Sequence, residues 1–323
     1  MLKKTIRRLG ALAMVLALAV SVFAVNAFAA TEAITSLDFT KIVTCDDNTL
    51  APATSFEFTV TAATADQGET YDDAPVYSGV QAAVSVANPA AFGPRTAKSQ
   101  NGSINFYASE FTKPGVYKYT VAETKGDYDG ITYDTAERTM YVYVQNGANG
   151  SPEVIGAIML NDDEKSVDFE NTYETADLTV KKVITGGMAD MNSKWEITVV
   201  VNGAEGEQYK TSEEGVTLTS GTPKTFILGN DETVTIYGLS ANDEYQVTED
   251  DANTDGYTTT YESCNEDEAG AMGTDDVTAT VTNTRETTLS PTGVIMTIAP
   301  YALMVVLAGA FAVVFLTRRN RAE

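Results

Sequence analysis

Three residue types that resist burial recur in both halves of this chain, in the same order and on the same kind of strand face. That recurrence limits the fold more than any other feature. In the first half Leu37, Phe39, Lys41 and Val43 alternate with Asp38, Thr40 and Ile42, the period-two pattern of a half-buried strand that carries a lysine on its apolar face. Tyr117, Tyr119, Val121 and Glu123 share a face later on, and Val167, Phe169 and Asn171 alternate inward on the last strand. The second half restates the set as Leu178, Val180 and Lys182, then Tyr245, Val247 and Glu249, then Ala279, Val281 and Asn283. Lys181 precedes Lys182 but does not share a face with Leu178 and Val180, so alternation selects Lys182. A lysine or a carboxylate buried alone costs several kcal/mol, so two matching sets call for an explanation.

Between these strands lie further alternating runs, Ser55 to Thr61, Gly102 to Phe106, Thr139 to Val144 and Val154 to Leu160, punctuated by turn signals such as Lys113-Pro114-Gly115. The stretch 62–102 is rich in Ala, Gly, Pro and Asp and is predicted to be loops with short strands. No segment has the period of a long amphipathic helix. Many short strands in two similar halves predict an all-β chain of two tandem Ig-like β-sandwich domains, residues 30–174 and 175–288.

Both ends are predicted to be processed. Lys3, Lys4, Arg7 and Arg8 precede an apolar stretch and Ala27-Phe28-Ala29, so residues 1–29 read as a secretory signal peptide. Residues 294–316 carry no charge and are long enough for a transmembrane helix, and the basic tail 317–323 would stay cytoplasmic. Between these ends lie all but one of the 45 acidic residues but only two thirds of the 21 basic ones. So acidic a surface argues against nucleic acid as a partner.

The chain has no histidine, the usual general base and commonest metal ligand. No nucleophile, phosphate-loop or metal motif stands out either, which disfavours a secreted enzyme and implies no cofactor and no metal. The two cysteines, Cys45 and Cys264, fall in different halves and read as free thiols. Asp251-Ala252-Asn253-Thr254-Asp255-Gly256 with Glu262 has the spacing of an EF-hand loop. Its flanks, Gln246 to Glu249 and Tyr257 to Tyr261, read as strands, so it is taken as an acidic loop.

Leu289-Ser290-Pro291-Thr292-Gly293, directly before the apolar span and basic tail, resembles the cell-wall sorting signal of Gram-positive surface proteins, in the form found in some pilins. The resemblance implies that a sortase cuts between Thr292 and Gly293, holds the Thr292 carbonyl as a thioester and passes it to an amine. The repeated triads, with Lys113-Pro-Gly-Val-Tyr before Glu123 and Leu178-Thr-Val-Lys-Lys at the second start, resemble the isopeptide-linkage domains of streptococcal T-antigen-type backbone pilins, related to collagen-adhesin B-type domains. In that family the lysine attacks the asparagine carboxamide, ammonia leaves and the acid shuttles protons. The resemblance therefore implies Lys41–Asn171 and Lys182–Asn283 cross-links with Glu123 and Glu249 as the acids, each reacting once without turnover.

It also implies that Lys165, in the polar turn Asn161-Asp-Asp-Glu-Lys-Ser, accepts the next subunit. The partners it implies are sortase, identical subunits in a covalent head-to-tail polymer, minor pilins and peptidoglycan, with the membrane engaged only before sorting. The location it implies is a pilus on a Gram-positive cell wall. A wall-anchored monomeric adhesin would share all of these signals except the polymer.

Overall fold

The computed structural model describes residues 32–263 and 269–286. The signal peptide, Cys264, the 289–293 motif, the 294–316 span and the basic tail lie outside the described residues. Among the described residues no helix is long and apolar enough to cross a membrane. Their helical content is two 3-10 turns, Gln81–Ala83 and Ala108–Glu110, in a chain otherwise built of strands.

Two sheets form the first half. One runs in the order Val84–Ala87, Ser99–Phe106, Ser36–Thr44, Asp168–Tyr173, Ile131–Thr132. The other runs Glu164–Lys165, Pro152–Asn161, Arg138–Asn146, Gly115–Glu123, Ala74–Ser78, Thr70–Tyr71, with Phe58–Ala62 also paired to Gly115–Glu123. Their inner faces meet through aromatic rings. Phe39 and Phe169 from the first sheet lie 4.7 and 4.8 Å, centroid to centroid, from Phe58 of the second. Phe39 pairs across the ladder with Gly102, where an added Cβ would come within 2.4 Å of the Phe39 ring. Only glycine leaves room for that ring beside Lys41.

The second half packs Thr233–Leu239, Ala176–Thr185, Val277–Thr284 and Thr258–Glu262 against Lys224–Leu228, Trp195–Asn202, Glu244–Glu249 and Gly270–Ala271. Leu178, Val180, Ile197, Val199, Val247 and Val281 fill its own core. Both halves are thus β-sandwiches of period-two strands, one face inward. The EF-hand-like residues form the loop between the strands Glu244–Glu249 and Thr258–Glu262, closed by Asn253, whose Oδ1 accepts the Thr259 N–H at 3.0 Å.

In each sandwich the lysine strand lies parallel to the asparagine strand, in the same register. Lys41 is opposite Phe169 and Val43 opposite Asn171; Lys182 is opposite Val281 and Ile184 opposite Asn283. The lysine therefore starts two residues behind its asparagine on a shared inward face. That offset, about 6.6 Å along a strand, matches the reach of an extended lysine side chain.

The junction between the halves contains a buried pair of carboxyl groups. Glu207 and Asp243 are both about 4% exposed. The Tyr209 hydroxyl lies 3.0 Å from Glu207 Oε2 and from Asp243 Oδ2, and Tyr173 of the first half donates to Glu207 Oε1 at 2.6 Å. Tyr128 and Asp129 also face this cluster, and among the described residues no lysine or arginine forms an ion pair with either carboxyl group. One hydroxyl proton cannot serve two carboxylates, so the pair favours binding a proton. Burial first, and the Glu207 charge second, push Asp243 up to about 7.

A carboxyl group whose folded pKa lies above its unfolded value near 3.8 stabilises relatively more at low pH, and that advantage is lost as pH rises through about 7. The junction is therefore expected to tighten between pH 8 and pH 5, by at most about 3 kcal/mol. Asp243→Asn should abolish that component. The check is the urea midpoint of the second half at both pH values; an equal pH response in parent and variant would contradict it.

Candidate functional site

The three residue types of the repeat converge at the centre of each sandwich. In the first, Lys41 and Asn171 are fully buried, and Glu123 bridges them. Its Oε2 accepts from Lys41 Nζ at 2.9 Å and its Oε1 accepts from Asn171 Nδ2 at 2.7 Å. Lys41 Nζ also donates to the Phe169 carbonyl at 3.2 Å and sits 4.8 Å from the centroid of the Phe56 ring. The second centre repeats the bridge. Glu249 Oε2 accepts from Lys182 Nζ at 2.5 Å and Oε1 from Asn283 Nδ2 at 2.8 Å. There Trp195, the only tryptophan of the chain, takes the place of Phe56, its ring 5.3 Å from Lys182 Nζ.

These contacts have one electrostatic consequence. Burial lowers the pKa of Lys41 and of Lys182 against the opposing pull of their glutamates. Burial likewise raises that of Glu123, against its hydrogen bonds to Asn171 and Lys41. Both directions favour a neutral amine facing a protonated acid, because neutral partners lose less on leaving water than ions do. The centre thus places a nucleophile, a proton carrier and a carboxamide within one water-excluding cage.

Several contacts have no counterpart in the sequence pattern. In the first centre the Asp134 backbone N–H donates to Asn171 Oδ1 at 2.7 Å, and the buried Arg138 holds Asp134 Oδ2 at 2.6 Å. In the second, the Thr259 hydroxyl donates to Glu249 Oε1 at 3.2 Å. Arg138 carried a usable signal, since it alternates with Met140, Val142 and Val144 on one inward face. A backbone N–H carries none.

Lys165 stands apart from both centres. It lies in the two-residue strand Glu164–Lys165, the edge of its sheet, opposite Leu160 and just past Asp162 in a left-handed conformation. Its side chain is exposed, and its amine makes no hydrogen bond or ion pair with the described residues. Three other lysines are engaged, Lys181 with Asp231 at 3.2 Å, Lys194 with Glu232, and Lys113 over the Tyr77 ring at 3.5 Å, whereas the exposed Lys125, like Lys165, has no such partner among the described residues. The motif Leu289 to Gly293 is outside the described residues.

A tandem β-sandwich with a lysine–carboxyl–asparagine bridge at the heart of each unit is the architecture of the matching proteins with an isopeptide containing domain. Residues 37–174 match the model of the Spy0128-like isopeptide containing domain, and residues 176–285 match a domain family of unknown function. A pilin of Streptococcus pyogenes serotype M1 is 31% identical over 252 residues, with 69% of this chain and 73% of the relative covered. The major pilin protein T3.2 of Streptococcus pyogenes superposes with a TM-score of 0.63 at 26% identity, covering 80% of this chain and 100% of that one. The T-13 major pilin of the same organism gives 0.59 at 26% identity, with the same coverage. The chain belongs to the pilin family.

Proposed function

We propose that this pilin is the repeating shaft subunit of a sortase-assembled pilus, closed internally by two Lys–Asn amide bonds. The observation that carries the internal bonds is the register shared by both halves: lysine two residues behind asparagine on a parallel neighbour, one glutamate bridging both.

The chemistry needs only groups present in each centre. The glutamate takes a proton from the lysine ammonium, leaving a neutral amine whose Nζ attacks the asparagine Cγ, and the C=O electron pair moves onto Oδ1. The glutamic acid then protonates Nδ2, the C–N bond breaks, and ammonia departs as the carbonyl reforms. The new amide nitrogen returns its surplus proton to the carboxylate, so lysine amine and carboxamide become secondary amide and ammonia. Amides are poor electrophiles, and contact held by the fold supplies the effective concentration that the reaction requires. Each centre reacts once, so the chain is not an enzyme in the turnover sense.

For assembly, the resemblance of residues 289–293 to a sorting signal makes Thr292 the donor carbonyl, and the resemblance to T-antigen-type pilins, supported by the exposure of its amine, makes Lys165 the acceptor on the neighbour. The terminal subunit passes to peptidoglycan. Wall extracts from cells expressing the full chain are expected to give a ladder of SDS-resistant multimers on immunoblots. A single monomeric band linked to wall fragments would replace the shaft reading with that of a wall-anchored adhesin.

A further inference from the structure

The two centres differ at the carboxamide oxygen, the atom closest to the chemistry. Asn171 Oδ1 accepts the Asp134 N–H at 2.7 Å while its Nδ2 faces Glu123, so the carboxamide is fixed at both ends. Asn283 Oδ1 is equally buried and has no hydrogen-bond partner among the described residues. This is the atom on which negative charge collects when a lysine attacks Cγ, and a donor already in place there lowers the barrier without rearrangement.

The Asp134 N–H is not held by the strand ladder. It is aimed by its own side chain: Oδ1 accepts the Ala136 N–H at 2.9 Å and Oδ2 accepts from Arg138 Nη2 at 2.6 Å. Arg138 is only 4% exposed. Its other donors reach the Ala136 carbonyl at 2.7 Å and the Asp168 carbonyl at 3.1 Å, and its guanidinium lies 4.5 Å from the Phe169 ring centroid. The guanidinium therefore ties the 134–136 loop to the strand that carries Asn171.

We infer that the Asp134 backbone N–H is an oxyanion donor for closure of the first centre, with Arg138 as its positioning residue, and that the second centre, lacking such a donor, closes more slowly. This rests on the proposed Lys–Asn chemistry. When Lys41 Nζ bonds to Asn171 Cγ, the electron pair driven onto Oδ1 meets the N–H already aimed at it, and the same contact holds the product carbonyl after ammonia leaves. Among the described residues nothing equivalent meets Asn283 Oδ1, so Glu249 and Lys182 act there without that help.

The test is cell-free synthesis of residues 30–292, quenched in denaturant at intervals and digested, with both cross-linked peptides quantified by mass. In the parent the first-domain bond should lead the second by about tenfold or more. An α-hydroxy acid analogue of aspartate at position 134 replaces only the N–H by oxygen; it should slow the first bond by about 100-fold, as loss of one oxyanion donor does. The second bond should keep its rate. Arg138→Met should slow the first bond as well, and Arg138→Lys should recover part of the rate, which a merely structural loss would not track.

Fold is checked at the first time point by tryptic resistance against the uncross-linked Glu123→Ala chain. A first-domain rate unchanged within twofold in the ester chain overturns the inference while leaving the cross-link reading intact, as does a second bond that keeps pace with the first in the parent. Absence of both bonds in the parent overturns the cross-link reading itself, and the inference with it. Should the Arg138→Met chain fail the resistance check, the ester and Arg138→Lys chains decide.

Discussion

Glu123→Ala is expected to leave the first sandwich without its covalent bond while the second still forms its own. The intact mass of the parent should fall short of the sequence mass by two ammonias, and that of Glu123→Ala or Glu249→Ala by one. Each glutamate is the carboxyl group that touches both reacting side chains. Without it the lysine has no base, and Nδ2 has no proton with which to leave as ammonia. Burial alone would leave Lys41 a neutral amine beside an amide, which does not suffice because the proton has nowhere to go. Glu123→Gln keeps the size and hydrogen bonding of the side chain but cannot carry the proton, so it should fail equally. A parent mass equal to that of the plain sequence would sink the whole scheme.

The loss should be large in stability as well as in mass. The bond would join the first strand of each sandwich to its last, and these strands already run side by side. On the loop-closure account of disulfides, cross-linking so long a loop is worth about 5 kcal/mol. For a domain of this size that corresponds to roughly 15 °C or more in Tm. Glu123→Ala adds the penalty of leaving Lys41 buried without its partner, about 3–5 kcal/mol. Comparison with Lys41→Met, which removes bond and charge together, separates the two contributions. The first domain of Glu123→Ala should melt below that of Lys41→Met, and both below the parent. Differential scanning calorimetry resolves the order, with the second domain as internal reference.

The fold and the two bridges were legible because they depend on a local property. Period two puts Lys41 beside Phe39 and Val43, and Lys182 beside Val180 and Ile184, whatever the tertiary arrangement. It could not say that the lysine and asparagine strands would be parallel neighbours in matching register, which is set by how the chain closes each sandwich. Contacts made by backbone groups were invisible for a related reason. The Asp134 N–H meets Asn171 because a loop returns 37 residues before it, and any residue except proline offers the same donor. The Glu207–Asp243 pair hid differently: each looks like an ordinary acidic residue in an acidic chain until the two halves meet over Tyr173 and Tyr209.

The cross-links also bear on how load would pass through a polymer. If tension enters one sandwich at its first strand and leaves by its last, a bond between those strands carries the force and spares the hydrogen-bond ladder. A shaft built in this way needs no disulfides. That suits a chain whose Cys45 is a free thiol, its pKa raised by burial.

Lys165→Arg is expected to abolish the multimer ladder while leaving the monomer folded, internally cross-linked and attached to the wall. An acyl-enzyme can be resolved only by an amine that reaches it, and Lys41 and Lys182 are sealed in the cores with no exposed surface. Lys181 and Lys194 are held by carboxylates and Lys113 rests on an aromatic ring, whereas the Lys165 and Lys125 amines are unengaged among the described residues, and of these two only Lys165 lies on a strand. Its strand is the edge of its sheet among the described residues, so its amine is reached without displacing another strand. Asp162, Asp163, Glu164 and Asp168 surround its positive charge in sequence. Arginine keeps that charge, and its guanidinium is no nucleophile at neutral pH. Intensity should therefore move entirely from the ladder to the monomer band, with the intact mass of the mutant still short by two ammonias. A ladder that persists undiminished would transfer the acceptor role to Lys113, Lys181 or Lys194, whose arginine variants, read on the same blot, would identify it.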